Sequence, residues 1–327
     1  VGSQQMRDVL KVAEEAGAKV ILLGDTLQQK SVAAGDALRS ITKYLESTQT
    51  VGSVRLNEIT RQVNELDREI VRAMFRGGWD MVDGKRVEKA NGTRWAMDAM
   101  RSSGKIFMEK DAEAMHERMV RDWIDTKAAH KAWAEANLHN ADEKTRNSAE
   151  RVVDSVHGET LMIAGDNKSV KDLNERAHAA RLAAGELGDE CLSIPTLDTT
   201  QDNPMQTIHV GEVISLRKTV EVGGKKISNR EMGRVTGIVG DRLILLTESG
   251  AVVDLDTTSG DWLDEDGKVQ ITYGYCVTTY SSQGLTVDKV LAKDGMNMTT
   301  GSGGVAASRH RLGCELYVAR DLHYQNW

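Results

Sequence analysis

The sequence has few cysteines and prolines, and it lacks long apolar runs. Its 327 residues include 3 cysteines and 2 prolines. Cys191, Cys276 and Cys314 are widely separated and show no CxxC spacing, which argues against a zinc site or a disulfide framework and fits a reducing compartment. We therefore expect a cytoplasmic protein. No apolar run approaches the roughly 18 residues that a membrane span needs, so we expect no membrane insertion.

Positive charge is also in deficit. The chain carries 42 Lys and Arg against 49 Asp and Glu, for a formal net charge of -7. A global basic field that attracts nucleic acid is therefore absent, although a local groove can be basic on an acidic protein. The composition, with 40% hydrophobic and 28% charged residues, is that of a globular chain. The length allows two ordinary domains, or one large domain with an insertion.

Apolar runs and helical stripes predict an α/β layered fold. Residues 19–24 (KVILLG) and 160–164 (TLMIA) are continuous apolar runs, which are typical of strands buried on both faces. A helix is predicted before the first run and another after the second. A further helix is predicted over residues 55–75, with one apolar stripe formed by Leu56, Ile59, Val63, Leu66, Ile70 and Met74. Residues 77–93 break the pattern and are predicted to form an exposed loop.

Two later segments have different residue patterns. Residues 112–156 are strongly helical and highly charged, which favours a solvated helical hairpin; residues 126–156 suit an interaction surface as well as a spacer. Between about residues 208 and 270, short alternating runs are separated by GG, GD and SG. This pattern is typical of β-hairpins, and we interpret the segment as a small antiparallel barrel inserted into the α/β domain.

Four polar clusters follow predicted buried strands, where α/β proteins place their sites. They are residues 25–29 (DTLQQ), 165–169 (GDNKS), 277–284 (VTTYSSQG) and 305–311 (VAASRHR). Each cluster alone is also compatible with an ordinary surface turn. Together, hydroxyl, amide and guanidinium groups at strand ends suit a polyphosphate or a nucleic-acid backbone.

Four stretches resemble motifs of superfamily 1 helicases of the RecD-like branch. Residues 22–29 (LLGDTLQQ) resemble the third motif and residues 56–62 (LNEITRQ) the fourth. Residues 273–290 (YGYCVTTYSSQGLTVDKV) are similar to the fifth motif, and residues 304–321 (GVAASRHRLGCELYVARD) to the sixth. The pairing of SSQGLTVD with ASRHR most resembles the helicase portion of conjugative relaxase-helicases of the TraA and TrwC type.

The resemblance implies an ATP-dependent 5′-3′ DNA helicase or translocase built from RecA-like lobes. Residues 1–103 would be the C-terminal part of the first lobe with its following helices. Residues 104–327 would be the second lobe, including the helical segment 112–156 and an SH3-like barrel at 208–270. ATP and Mg²⁺ are the implied cofactors of the complete protein. Single-stranded DNA is the implied partner, with other conjugation or relaxosome proteins as further candidates.

The resemblance also implies residue roles. Arg309 would be the arginine finger, and Arg61 a second arginine that reaches the phosphates. Gln28 would sense the γ-phosphate, with Asp25 near the nucleotide and its metal-bound water. The implied nucleotide-binding residues are Gly24, Gln283 and Gly284. The implied DNA-binding residues are Thr278, Thr279, Tyr280, Ser281, Ser282 and Asn167; no metal ligand is assigned.

Two departures from the family pattern affect the predicted DNA contacts. Tyr280 and Ser281 stand where relatives often have His-Lys, so the phosphate contact is expected to be weaker. The ring of Tyr280 either stacks on a base, which contributes roughly 1–3 kcal/mol, or packs beside Val277. The predicted barrel offers cations that either face DNA or belong to a solvated hairpin tip: Lys218, Lys225, Lys226 and Arg230.

The largest departure is the absence of a P-loop string. GxxxxGK[ST], whose backbone amides and lysine surround the β- and γ-phosphates, does not occur in these 327 residues. We expect that the sequence starts just past a Walker B strand and that these residues alone have no measurable ATPase activity. Two alternatives stay open. One is a non-catalytic helicase-like module for DNA binding or docking, and the other is a RecD-type repair helicase without a relaxase.

Overall fold

The computed structural model describes residues 2–24, 35–48, 58–76, 79–82, 85–88, 92–222, 224–258, 260–294 and 300–323. Its helices are α1 (Ser3–Glu15), α2 (Ala37–Ser47), α3 (Glu65–Arg76), α4 (Gly92–Ser102), α5 (Ala112–Asn137), α6 (Glu143–Asp154), α7 (Asn167–Ala183), α8 (Thr300–Ala307) and α9 (Arg320–His323). Its strands are β1 (Trp79–Val82), β2 (Lys85–Glu88), β3 (Ile106–Glu109), β4 (Thr160–Ala164), β5 (Cys191–Ile194), β6 (Gln206–His209), β7 (Val213–Leu216), β8 (Val220–Val222), β9 (Lys225–Ile227), β10 (Met232–Val239), β11 (Arg242–Thr247), β12 (Val252–Asp256), β13 (Ile271–Tyr273), β14 (Cys276–Thr278), β15 (Val287–Lys293) and β16 (His310–Ala319).

A parallel sheet of five strands forms the centre, in the order β14-β4-β15-β16-β3. Every residue of β4 is buried, as predicted for a strand covered on both faces. Helices α5 and α7 pack against β4 and its neighbours, and α8 packs against β15. Met119 and Trp123 of α5 are almost completely buried in this core. The predicted α/β fold with a buried parallel sheet is confirmed.

An antiparallel sheet is inserted in the sequence between β4 and β14, which are themselves neighbours in the parallel sheet. Its order is β12-β11-β10-β7-β13, and buried residues alternate along β11 and β12. The predicted antiparallel insert is therefore present. Among the strands that the structure describes, no ladder joins β12 to β13, so closure into a barrel stays a prediction. A buried hydrogen bond from the Tyr275 hydroxyl to the Glu212 carboxylate ties the insert to β14.

The predicted helical hairpin is confirmed in α5 and α6. Asp111 accepts a hydrogen bond from the amide of Ala114 at 2.8 Å and begins α5, and Asp142 begins α6 by accepting one from the amide of Thr145 at 2.9 Å. Such caps satisfy amides at the first turn of a helix. Only part of the hairpin is solvated, because the first half of α5 covers the sheet. No helix within the described ranges is long and apolar enough to cross a membrane.

The prediction of a buried strand at residues 19–24 is wrong for this structure. Residues 18–24 belong to no helix or strand, and the side chains of Ile21 and Leu23 are 75% and 91% exposed. A strand buried on both faces needs neighbouring strands and covering layers. The described strands include none that pairs with this segment.

The predicted helix over residues 55–75 begins ten residues later than expected. Asn64 accepts hydrogen bonds from the amides of Leu66 and Asp67 at 2.8 and 3.4 Å, which caps α3. Before this cap, Gln62 and Val63 bond to the backbone of β16 instead of a helix. Val63, which the stripe placed inside, is consequently 65% exposed.

The prediction of an exposed loop at residues 77–93 is also wrong, because the segment contains two paired strands. β1 and β2 form an antiparallel hairpin in which Val82 lies opposite Lys85. The sequence between them is Asp-Gly, a strong signal for a two-residue hairpin. That signal was available in the sequence and was overlooked.

Helices α3 and α4 share their core with the parallel sheet. Ile70, Met74 and Met100 belong to the same buried cluster as Leu161 of β4 and Val290 of β15. Packing is therefore continuous across residue 103, and the predicted division of the chain at this point stays a prediction.

Candidate functional site

The fourth and sixth predicted motifs meet at the turn between α8 and β16. The Nη1 atom of Arg61 donates a hydrogen bond to the carbonyl oxygen of Ser308 at 2.7 Å. The Nε2 atom of Gln62 donates to the carbonyls of Ser308 at 3.2 Å and His310 at 2.8 Å. Arg61 is thus attached to the residue that precedes Arg309, although the two motifs lie far apart in sequence.

Arg309 is folded back onto the end of α8. Its Nε donates to the carbonyl of Val305 at 3.0 Å, and its Nη2 donates to the hydroxyl of Ser308 at 2.8 Å. The residue is only 3% exposed. Burying a guanidinium is costly unless its donors are hydrogen-bonded, so these contacts fix both the position and the orientation of the side chain.

The Ser308–Arg311 turn concentrates positive charge. Burial, and secondarily the charge of Arg311, lowers the pKa of Arg61 from its ordinary value; a guanidinium stays protonated at neutral pH even so. Arg311 is paired with Glu159 at 2.5 Å and with Asp288 at 3.1 Å. Arg61 bonds to the Ser308 carbonyl and Arg309 to the Ser308 hydroxyl, so two guanidinium groups meet at one residue, a setting that suits an anionic ligand with several oxygens.

The residues after β14 form a compact turn. The hydroxyl of Thr278 accepts a hydrogen bond from the amide of Ser281 at 3.0 Å and donates to its Oγ at 2.9 Å. Ser282 Oγ donates to the carbonyl of Thr279 at 2.8 Å. Gly284 has φ +91°, a conformation that glycine adopts without strain. These hydroxyls therefore hold the turn together, which accounts for the serines and threonines in this stretch.

The turn buries some of the predicted DNA-binding side chains and exposes others. Thr279 and Ser282 are 2% and 0% exposed, and Thr279 Oγ1 donates to the carbonyl of Ala164 at 3.3 Å. Thr278 and Ser281 instead face a cavity that the first residue of α7, Asn167, also lines. Parallel pairing of Thr278 with Ala164 explains this neighbourhood, because carboxyl ends of adjacent parallel strands share one edge.

The cavity has a volume of about 270 Å³ and lies between the β14 turn, α7 and the antiparallel insert. Arg217 and Arg230 of the insert line it together with Asp198. Burial, and then the positive charge of Arg230, lowers the pKa of Arg217. Burial raises the pKa of Asp198. Two guanidinium groups against one carboxylate leave the wall of the cavity net positive.

Arg230 reaches the cavity from an unusual backbone conformation. Its φ is +77°, which is uncommon for a residue other than glycine. Its guanidinium carbon lies 4.6 Å from the centre of the Tyr280 ring, and its Nε is buried with no hydrogen-bond partner among the described residues. Strained residues of this kind cluster at binding sites. Tyr280 is 37% exposed, so one edge of this arginine–tyrosine pair faces solvent.

Some predicted site residues are not tested by these contacts. Asp25 and Gln28 lie outside the described residues. Gly24 is exposed beside α2, where a Cβ atom would clash with Leu38. Gln283 is half-buried, and its amide donates to the carbonyl of Tyr280 at 3.3 Å. Their roles in nucleotide binding stay predictions.

Of the predicted barrel cations, Arg230 lines the cavity. Lys218 Nζ instead donates to the carbonyl of Asp261 at 2.6 Å, and Lys226 is exposed; the side chain of Lys225 lies outside the description. Arg217 was missed, although it directly follows the buried strand β7, the signal that identified the other polar clusters. The described residues include no group of three or more His, Cys, Asp or Glu placed to hold a metal ion.

Known proteins resemble this chain over most of its length. A family model described as "AAA domain" matches residues 1–92. "Conjugal transfer protein TraA" of Agrobacterium fabrum is 26% identical over 97% of this chain and 23% of the relative. "Multifunctional conjugation protein TraI" of Escherichia coli K12 is 26% identical over 61% of this chain and 11% of the relative. The structure of Bacteroides Pif1 bound to ssDNA has a TM-score of 0.50 at 15% identity, covering 92% of this chain and 62% of that one.

These comparisons agree with the motifs and with the layered fold. The similarity to Pif1 concerns the fold, and the sequence similarity to TraA extends over nearly the whole chain. The chain spans under a quarter of the length of TraA. The chain is therefore a relative of the TraA conjugal transfer proteins, and its fold is similar to that of the Pif1 helicase.

Proposed function

We propose that this chain is part of an ATP-dependent DNA helicase or translocase that moves 5′ to 3′ on single-stranded DNA during conjugative transfer. The observation that carries the proposal is the hydrogen bond from Arg61 to the carbonyl of Ser308. It joins the fourth and sixth motifs beside the buried Arg309. Two arginines from distant parts of the sequence thereby lie at one turn, an arrangement that can place both cations near one phosphoryl group.

Arg309 and Arg61 have different tasks in this proposal. The fork of Arg309 neutralises charge on the transferring phosphoryl group, and an arginine finger contributes about 10³–10⁵ in rate. Arg61 holds the turn through Ser308 and adds a second cation. Bound ATP with Mg²⁺ supplies the phosphoryl group. Gln28 and Asp25 complete the set in the proposal, respectively sensing the γ-phosphate and adjoining the metal-bound water.

The cavity beside the β14 turn is the proposed place of the DNA strand. Arg217 and Arg230 suit backbone phosphates, and the hydroxyl of Ser281, which accepts from Thr278, can donate to the same oxygens. Tyr280 presents a ring edge at the rim. A positive groove combined with an aromatic ring is the usual way to bind single-stranded DNA without sequence preference.

The proposal also covers the activity of residues 1–327 alone, their domains and the place where the protein acts. Residues 1–327 contain no P-loop string, so we propose that they do not hydrolyse ATP on their own. The insert would complete an SH3-like barrel, and residues 1–103 and 104–327 would belong to two RecA-like lobes. The protein would act in the cytoplasm with other conjugation proteins.

DNA-stimulated ATP turnover by the full-length gene product tests the proposal. Arg309→Ala should lower kcat by about 10³-fold or more. Arg320→Ala, on the exposed start of α9, should leave kcat unchanged and serves as the control. Wild-type turnover by Arg309→Ala would refute the proposed role. Residues 1–327 alone should show no turnover; DNA-stimulated turnover that Arg309→Ala abolishes would contradict that part.

Strand displacement tests the direction of movement separately. The full-length gene product should unwind a duplex with a single-stranded 5′ tail and leave one with a 3′ tail intact. Unwinding of only the 3′-tailed duplex would overturn the polarity and leave the ATPase proposal standing.

A further inference from the structure

We call the Ser308–Arg311 turn the Arg309 turn. A buried carboxylate beside it gathers two arginine side chains and one histidine ring. Asp288 is 1% exposed. Arg151 Nη2 donates to both of its oxygens at 2.8 and 3.0 Å, and Arg311 Nη1 donates to Oδ1 at 3.1 Å. His130 Nε2 lies 3.3 Å from Oδ2. We call Asp288, His130, Arg151 and Arg311 the Asp288 cluster.

The cluster adjoins the backbone of Arg309 at two points. The amide of Val287, the residue before Asp288, donates to the carbonyl of Arg309 at 3.0 Å. Two residues after Arg309, the side chain of Arg311 contacts Asp288. The pairing of β15 with β16 shifts by one residue here, between Val287 and Lys289. Asp288 therefore lies opposite the segment that leaves the Arg309 turn.

The same carboxylate also connects to the helical hairpin. His130 belongs to α5 and Arg151 to α6, so both helices reach Asp288. Burial alone would raise the pKa of Asp288, but its contacts with His130, Arg151 and Arg311 hold that pKa below its ordinary value. The carboxylate is thus ionised at neutral pH, and each contact is a charge-assisted hydrogen bond or an ion pair.

We propose that Asp288 is a positioning residue for Arg309, and that the α5–α6 hairpin holds the Arg309 turn in place through it. The hairpin would then be more than a spacer, because both of its helices reach a buried carboxylate that Arg311 of that turn also contacts. The inference rests on the proposed role of Arg309 in phosphoryl transfer, but its geometric part can be tested without ATP.

ATP turnover by the full-length gene product provides the functional test. Asp288→Asn keeps the size of the side chain and removes its charge. It should lower kcat by about 10- to 100-fold, since a displacement of about 1 Å at a reacting group has effects of this size. KM should stay within about twofold, because Asp288 does not touch substrate. A merely structural role would lower the amount of folded enzyme instead.

Asp122→Asn is the matched control. Asp122 lies on α5 and accepts hydrogen bonds from Arg118 at 3.2 Å and from the Tyr317 hydroxyl at 3.0 Å. Asp122→Asn removes one negative charge from the hairpin, as Asp288→Asn removes one from β15, and kcat should not change. If Asp288→Asn fails to fold, Arg151→Gln removes the link to α6 alone and should lower kcat several-fold.

Hydrogen–deuterium exchange provides the second readout. In Asp288→Asn, peptides covering residues 285–290 and 308–313 should exchange faster by about tenfold, and the peptide covering β4 should not change. Unchanged kcat and unchanged exchange in Asp288→Asn, or an equal effect of Asp122→Asn, would overturn the inference. If Arg309→Ala itself leaves kcat unchanged, the proposed function fails, whereas the exchange result still decides the positioning contact.

Discussion

Loss of the cavity arginines should weaken binding of single-stranded DNA by an amount that can be calculated. Arg217 and Arg230 both line the cavity beside the β14 turn. Each phosphate neutralised on a single strand contributes about -0.7 to the slope of log K against log salt concentration. Between 1 M and 0.1 M salt, one contact is therefore worth about 10^0.7, or roughly fivefold in affinity.

Arg217→Gln should thus lower affinity roughly fivefold at 0.1 M salt and reduce the slope by about 0.7. Arg230→Gln should have a somewhat larger effect, because it also separates Tyr280 from its cationic partner, a contact worth about 0.5–1 kcal/mol at exposed sites. The double variant should lose roughly 25-fold from the two phosphate contacts alone, more with the added effect of Arg230, and about 1.4 of slope.

Fluorescence anisotropy of a labelled oligonucleotide, measured over a series of salt concentrations, gives both quantities. Arg242→Gln is the control, because Arg242 lies on β11 of the same insert and is neutralised by Asp254 at 2.7 Å and Asp256 at 3.6 Å. It should bind like wild type. A wild-type slope in the double variant would refute the placement of DNA in the cavity, and so would an equal loss in Arg242→Gln.

Three further predictions concern stability and reactivity. Gly304→Ala should lower the free energy of unfolding by about 1–3 kcal/mol in urea titrations, because its Cβ would lie 2.8 Å from the Phe75 ring; an unchanged midpoint would contradict this packing. Burial raises the pKa of the Cys314 thiol to about 12, so at pH 8 iodoacetamide should label exposed Cys191 and spare Cys314, and equal labelling rates would contradict this burial. Burial lowers the pKa of Lys127 to about 8, from 10.5, so between these pH values the unfolded chain binds more protons and stability should rise with pH. Lys127→Met should reduce that rise in pH-dependent melts. An unchanged rise would show that the lysine is solvated.

The sequence predicted those strands whose burial leaves a pattern in consecutive residues. The apolar run of β4 and the alternating strands of the insert were identifiable because burial on two faces or on one face leaves a direct trace in the sequence. The run at residues 19–24 has the same trace. It forms no strand in the described structure, because a strand needs partners that its own residues cannot supply. The start of α3 depends on contacts with β16, 248 residues away in the case of Gln62.

The candidate site was predictable only where motifs mark it. Arg61 and Arg309 were found through their resemblance to helicase motifs, and their shared turn required the structure. Arg217 is recognisable in the sequence as a polar residue after a buried strand. That it lines one cavity together with Arg230 required the structure. Asp288 looked like an ordinary residue of the fifth motif. Its partners come from α5, α6 and β16, and Arg151 is 137 residues distant, so no local pattern reveals the cluster.

A double-mutant cycle on Arg61 and Arg309 tests most directly whether the two arginines work as one unit at a shared phosphate site. DNA-stimulated kcat is measured for the full-length gene product, for Arg61→Ala, for Arg309→Ala and for the double variant. We expect strong coupling of about 1–3 kcal/mol, so that Arg61→Ala lowers kcat in wild type but has little further effect once Arg309 is removed. Independent effects that multiply in the double variant would contradict a shared site.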